Sequence, residues 1–325
     1  MRPFEYERAA DAAGALATIV RPGTAFLAGG TNLVDLMKLG VATPDRLVDL
    51  SGLPYAEVEP IGGGGLRIGA LVSNSDLATH DGVRSRYPAV AQAVLAGASG
   101  QLRNRATVGG NLLQRTRCRY FQDLTKACNK RAPGSGCDAR DGEHHDLAIL
   151  GASPQCIATN PSDLAVALSI VDASVHYIGP HGPAAVSVHD LFRRPGERPD
   201  RDTNLPPGSL VTAVVLPECP LAGGSRYRKV RDRASYAFAA GSIAAALDVR
   251  DGRVHDVRVA WGAVAHLPWR AWALERALRG ARAVPESYAR AAETELASAK
   301  PLRDNEYKIR LLRNLTVELL GEMTP

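Results

Sequence analysis

Apolar and polar positions divide the chain into three stretches. Over the first hundred residues, short apolar runs alternate with amphipathic segments. Residues 11–20 place Leu16, Ile19 and Val20 on one side and stop at Pro22-Gly23, which predicts a short helix. Ala25-Phe26-Leu27-Ala28 reads as a buried strand, with a helix predicted immediately behind it over 33–39. Further strands are predicted over 46–50 and 66–72, a turn at Gly62–Gly65 and a helix over 89–98.

The second stretch, residues 100–158, has little periodicity and is rich in Arg, Gly and Pro. A segment of that length without regular structure is improbable inside a compact domain unless something holds it. In the third stretch, 161–172 is helical through Leu164, Ala165, Leu168 and Val171, and strands are predicted over 174–178 and 210–216. Residues 217–224 read as a linker. Strands over 242–249 and 254–264 follow, joined by the hairpin pair Asp251-Gly252. The end is helical, with Pro268 and Pro285 expected at first helical positions and Leu311, Leu315 and Leu319 as a core stripe.

A chain of 325 residues suggests two or three domains. Its 45% hydrophobic and 22% charged residues exclude disorder as the main state. Aromatics are only 5%, so the cores are expected to be tiled by Ala, Leu and Val. Charge is mild, 39 Lys plus Arg against 34 Asp plus Glu. That balance permits an anionic ligand without calling for nucleic acid. The first residues carry acids and no apolar run of the signal-peptide kind. No stretch approaches ~18 uninterrupted apolar residues. A soluble chain without membrane insertion is expected, and export would need a partner's signal.

Two segments carry candidate chemistry. Ala28-Gly29-Gly30-Thr31-Asn32-Leu33 is a glycine turn between a strand and a helix start. Paired glycines let main-chain N–H groups converge on an anion, although such a turn alone is more often only tight. It is not the G-x-G-x-x-G dinucleotide fingerprint. The second segment runs from Gln101 through Arg103, Arg105, Thr107 and Gly109-Gly110 to Asn111, again a hydroxyl residue beside Gly-Gly-Asn. Two such turns suit an extended ligand with a diphosphate.

Together, AGGTNL followed by QLRNRATVGGN resembles the flavin-binding subunits of the molybdenum hydroxylase (xanthine dehydrogenase) family. Asn160-Pro161-Ser162-Asp163-Leu164 and Tyr227-Arg228-Lys229 fall in family order, so the resemblance spans essentially the whole chain. It implies an α+β fold: a two-lobed FAD-binding domain of the PCMH type over residues 1–217, with a Cys-rich insertion at about 112–158. A smaller α/β domain like the C-terminal domain of carbon monoxide dehydrogenase flavoproteins would follow over 224–325. Carried over, the resemblance implies that Ala25, Phe26, Leu27, Ala28, Gly29, Gly30, Thr31, Asn32 and Leu33 wrap the FAD pyrophosphate. Thr107, Gly110 and Asn111 would continue that cradle. Asp163 would accept hydrogen bonds from the ribose or flavin side chain, and Lys229 would lie near the flavin ring. From the residues alone, Asp163 could instead cap its helix, and Lys229 could sit on a solvated basic edge strand over 226–233.

Four of the five cysteines, Cys118, Cys128, Cys137 and Cys156, fall in the insertion, and Cys219 stands alone. Their gaps of nine, eight and eighteen residues contain no close C-x₂₋₄-C pair of the kind structural zinc sites show. Iron–sulfur clusters accept wider spacing. Arg115, Arg117, Arg119, Lys126, Lys130 and Arg131 flank the cysteines, and their field is expected to lower the thiolate pKa values. His144 and His145, in a charged loop, read as solvated. The insertion is similar to that of FAD subunits of bacterial, periplasmic-type aldehyde oxidoreductases that carry an extra 4Fe–4S cluster. Zinc and two disulfides remain alternatives.

No nucleophile elbow, paired carboxylates or HExxH metal motif occurs. This fits a redox relay, in which the protein positions cofactors and the substrate reacts elsewhere. The resemblance implies a heterotrimer with a 2Fe–2S subunit and a large molybdenum-cofactor subunit, acting on aldehydes, in the periplasm if co-exported and otherwise in the cytoplasm. Xanthine, N-heterocycle and carbon monoxide dehydrogenase flavoproteins are alternatives in the same class. A zinc-stapled basic nucleic-acid-binding protein is the alternative of another class, and only Tyr120 and Phe121 would serve it as stacking aromatics.

Overall fold

A computed structural model describes all residues from Met1 to Pro325. The first lobe is a three-stranded parallel sheet. Its strands are β1 (Glu5–Arg8), β2 (Thr24–Leu27) and β3 (Arg46–Asp49), in the order β1-β3-β2. The crossover between β1 and β2 is the helix Ala12–Ile19, started by Asp11, whose carboxylate accepts the Gly14 N–H. The helix Leu33–Lys38 crosses from β2 to β3.

The second lobe is a five-stranded antiparallel sheet of β4 (Val58–Pro60), β5 (Leu66–Gly69), β6 (Ser174–Gly179), β7 (Gly182–Ser187) and β8 (Leu210–Leu216). Their order is β4-β5-β8-β6-β7. Helices Asn74–Thr79, Pro88–Ala96 and Asp163–Ile170 pack with it into the largest core. Ala, Val and Leu dominate that core, as the low aromatic count requires.

The C-terminal part is a four-stranded antiparallel sheet of β9 (Arg226–Val230), β10 (Gly241–Arg250), β11 (Arg253–Gly262) and β12 (Trp269–Arg270), in the order β12-β11-β10-β9. Asp251 (φ 50°) and Gly252 (φ 68°) make the tight turn between β10 and β11. Helices Trp272–Leu278, Pro285–Leu296 and Tyr307–Met323 cover one face, burying Leu312, Leu315, Leu319 and Leu320. Leu311, expected in that stripe, is only half-buried.

One further expectation changes. Pro268 starts no helix: it precedes β12, and the next helix begins at Trp272. The stretch 217–224, expected as a linker between domains, is packed through Ala222. It contains a 3₁₀ turn (Pro220–Gly224) with Ala222 fully buried, and the Tyr87 hydroxyl donates to the Pro217 carbonyl at 2.7 Å. The insertion forms its own small core from Leu36, Phe121, Ala139, Leu147, Ile157, Ala158 and cysteines, with only short helical turns around it. No helix is long and apolar enough to cross a membrane.

Candidate cofactor site

The two Gly-Gly turns meet face to face. A Cβ on Gly29 would stand 1.9 Å from the Arg105 carbonyl oxygen, so only glycine lets the backbones approach this closely. Gly30 adopts φ 78°, which turns the chain into the following helix. The N–H groups of Gly29, Gly30, Thr31 and Asn32 donate to no protein acceptor. The Asn32 side chain accepts the Arg115 N–H at 2.9 Å, while its buried Nδ2 has no partner. Donors left open in this way, one of them buried, fit an anionic or polyhydroxyl group lying on the turn.

The second turn works differently. Val108 and Gly109 donate their N–H groups to the Val72 and Ala70 carbonyls. The Gly110 N–H is taken by the Thr107 hydroxyl at 3.2 Å, and the Asn111 N–H by the Thr107 carbonyl. Its main-chain donors are therefore occupied, while the Asn111 amide NH₂ and the Thr107 hydroxyl proton have no protein acceptor. Main-chain amides without a protein acceptor thus cluster at the first turn and not at the second. Of the first segment, Phe26 and Ala28 through Leu33 line a cavity of about 160 Å³ together with Thr107, Gly109 and Gly110. Ala25 and Leu27 lie within β2 and line neither this cavity nor its neighbour.

That neighbour is a cleft of about 700 Å³, which shares Thr31, Asn32 and Gly110 with the smaller cavity. The size suits a large cofactor. Asn111, Asp163 and Lys229 all line it. Ser162, not Asp163, caps the helix Asp163–Ile170, its hydroxyl accepting the Ala165 N–H at 3.0 Å and donating to Asn111 Oδ1 at 2.7 Å. Asp163 is thereby released for other work. It accepts from the Tyr227 hydroxyl at 2.5 Å and from Lys229 Nζ at 2.8 Å. Lys229 is buried rather than solvated, because β9 alternates. Tyr227 and Lys229 face Asp163, while Arg226 and Arg228 face Glu318 and Glu322 on the last helix. Burial, reinforced by the Asp163 charge, pushes the Tyr227 phenol well above its ordinary value, so it stays a donor.

Several cleft residues lay outside the motifs. Asn74, with a buried Oδ1 lacking a partner, is one. Arg117 is another, its guanidinium 5.0 Å from the Phe238 ring. The period-two pattern of 226–230 held a readable sign of Tyr227, whereas nothing local marked Asn74.

Cys118, Cys128, Cys137 and Cys156 line one small chamber with Phe121, Ala139 and Ala158. Cys118 also stands in the wall of the large cleft. All five cysteines are free thiols, so neither disulfide is present. No group of three or more His, Cys, Asp or Glu side chains is gathered for a metal ion. Four thiolates on one zinc would stand about 3.8 Å apart, given Zn–S bonds of about 2.3 Å. The chamber encloses about 10 Å³, so a cubane requires the four side chains to move apart. Its donor set, four thiols, is of the iron–sulfur kind, and Asn129, Lys130 and Gln155 also line the wall.

The expectation of lowered thiol pKa values is overturned. Burial pushes Cys118 up to about 11 and Cys156 up to about 12, and raises Cys137 as well. The flanking cations mostly point elsewhere. Arg119 pairs with Glu143, Arg131 donates to the Tyr120, Phe121 and Lys126 carbonyls, and Arg115 pairs with Asp202. Lys130 alone of the six lines the chamber. His144 is buried, accepting the Asp304 N–H, while His145 stacks on Tyr307 with ring centroids 4.5 Å apart.

Comparison with known proteins matches this geometry. The sequence pattern of the FAD-binding domain in molybdopterin dehydrogenases covers residues 2–219, and that of the carbon monoxide dehydrogenase flavoprotein C-terminal domain covers 225–323. The aldehyde oxidoreductase FAD-binding subunit PaoB of Escherichia coli (strain K12) is 50% identical over 99% of this chain and 98% of its own length. The glyceraldehyde dehydrogenase medium chain of Sulfolobus acidocaldarius is 28% identical over 85% of this chain and 81% of its own. Among solved structures, quinoline 2-oxidoreductase from Pseudomonas putida 86 superposes with a TM-score of 0.76 at 21% identity, covering 99% of this chain and 97% of that one. Carbon monoxide dehydrogenase from Oligotropha carboxidovorans gives 0.76 at 22%, covering 98% and 97%. These two likenesses speak for the fold alone. Matching both domains and half identical to one relative over nearly its full length, the chain belongs to the FAD-binding subunits of the molybdenum hydroxylase family of oxidoreductases.

Proposed function

We propose that this chain is the FAD- and 4Fe–4S-carrying electron-transfer subunit of a multi-subunit molybdenum aldehyde oxidoreductase. Conversion of an aldehyde and water to a carboxylic acid releases two electrons and two protons. That chemistry belongs to a large partner holding the molybdenum cofactor, with a small 2Fe–2S partner between it and this chain. The half-identical aldehyde oxidoreductase subunit supports the substrate class. The single observation that carries the relay is Cys118, which stands in the walls of both the large cleft and the thiol chamber. Two redox groups held so close exchange electrons without the protein moving.

FAD supplies the change between two-electron and one-electron transfer when bound. In this reading the Gly29–Asn32 amides hold its diphosphate, Asn111 and Asp163 hold its hydroxyl-bearing chain, and Lys229 fixes the Asp163 carboxylate. A 4Fe–4S cluster supplies one-electron storage, with Cys118, Cys128, Cys137 and Cys156 as ligands. Cubane and thiolates together are anionic, so iron replaces the protons that burial keeps on Cys118, Cys137 and Cys156.

The test is the purified multi-subunit complex. Flavin bands and a broad brown absorbance bleached by dithionite are expected, with four more iron atoms per complex than the 2Fe–2S partner accounts for. Cys128→Ser should remove that extra iron and keep most FAD. Unchanged iron in Cys128→Ser would overturn the ligand set. Reduction of the bound flavin by carbon monoxide or a purine, but not by aldehydes, would overturn the substrate class.

A further inference from the structure

Lys130 is the one cation in the wall of the thiol chamber. Its side chain is buried, and its Nζ donates to the Pro199 carbonyl at 2.7 Å and to Asp202. A buried ammonium is costly, and Asp202 cannot fully neutralise it because Arg115 pairs with the same carboxylate. The local sum over Lys130, Arg115 and Asp202 is one positive charge. Arg115 turns its guanidinium against the Phe121 ring at 4.9 Å. His266, on the far side of Lys130, adds no second cation: it is buried, and burial followed by the Lys130 charge pushes it well below its ordinary value. Lys130 thus adds a positive charge to the chamber wall that Asp202 does not cancel.

Of the six basic residues near the cysteines, Lys130 alone lines the chamber. We infer that Lys130, held in place by Asp202, is the residue that sets the reduction potential of the 4Fe–4S cluster. The inference rests on the cluster assignment above. One added electron makes the cluster more anionic, and a fixed positive charge in the chamber wall favours that state. No proton moves and no bond is made.

Lys130→Met should shift the oxidised-to-reduced equilibrium about tenfold toward the oxidised cluster, about 59 mV for one electron. Asp202→Asn leaves an extra positive charge and should shift it the other way. Lys130→Arg should stay near the wild type. The readout is a dithionite potentiometric titration of the assembled complex. It follows the low-temperature paramagnetic signal that Cys128→Ser abolishes, with iron and FAD counted in each sample. Full iron with an unmoved midpoint in Lys130→Met, or shifts of the same sign in Lys130→Met and Asp202→Asn, overturns the role. If Lys130→Met loses its iron, the sign of the Asp202→Asn shift decides alone. A wild-type complex without the extra iron overturns the cluster reading itself, and Lys130 with it.

Discussion

Gly29 has no left-handed torsion to explain it; what it has is the Arg105 carbonyl where a side chain would begin. The clash is with backbone, which cannot swing away. Gly29→Ala is therefore expected to part the two turns, at a cost of about 1–3 kcal/mol. That corresponds to about 5- to 150-fold in FAD affinity. Gly30→Ala, whose cost is torsional, should lose about 1 kcal/mol and less cofactor. FAD-to-protein ratios after dialysis check this, and equal retention in both variants would refute the close-approach argument. Asp163 and Lys229 behave as a unit, because both are largely buried. Asp163→Ala leaves a buried ammonium without its anion, which should destabilise by about 3–5 kcal/mol. The double change Asp163→Ala with Lys229→Met should cost less than Asp163→Ala alone, as read from urea midpoints of the two variants.

At the scale of elements, Ser162 shows how a helix start can shape a binding site. Its hydroxyl satisfies the Ala165 N–H and also holds the Asn111 amide, so the cap and the cleft wall are one contact. Ser162→Ala should cost about 1–2 kcal/mol in unfolding free energy. It should also weaken FAD retention, an effect that a cap remote from the cleft would not produce. Strands and helices made of apolar runs bounded by turn or cap residues, such as residues 242–249 or the Asp163–Ile170 helix, were legible in the sequence. β1 was not: Glu5-Tyr6-Glu7-Arg8 is largely exposed and takes its shape from pairing with β3, a contact some forty residues away. The Gly-Gly turns were visible as motifs. Which amides they leave free depends on Val72 and Ala70, outside both motifs. For the same reason the six basic residues near the cysteines could be counted from sequence but not aimed.

At the scale of the whole molecule, the second lobe and the C-terminal sheet are tied together by Asp172. It follows the Asp163–Ile170 helix with φ 51° and accepts from Arg258 at 2.8 Å, Arg270 at 3.0 Å and His189 at 3.0 Å. Two of those partners belong to β11 and β12, so the contact crosses between the lobes that enclose the cleft. Burial alone would raise this carboxyl. The His189 hydrogen bond and the Arg270 and Arg258 charges outweigh it and hold the group below its ordinary value. A carboxyl whose folded pKa lies below its unfolded value, about 3.9, stabilises the fold fully above that value. The contribution is lost as pH falls through the folded pKa. Asp172 is partly exposed, so solvent screens the effect and it should be modest. Asp172→Asn should melt below the wild type at pH 7. The gap should narrow as pH falls below about 4, where the wild-type carboxyl becomes protonated and neutral like the amide. Thermal melts of both proteins from pH 7 to 3 give the comparison. A gap that stays constant over that range would show that Asp172 acts through its shape and backbone torsion, and that its charge does not join the lobes.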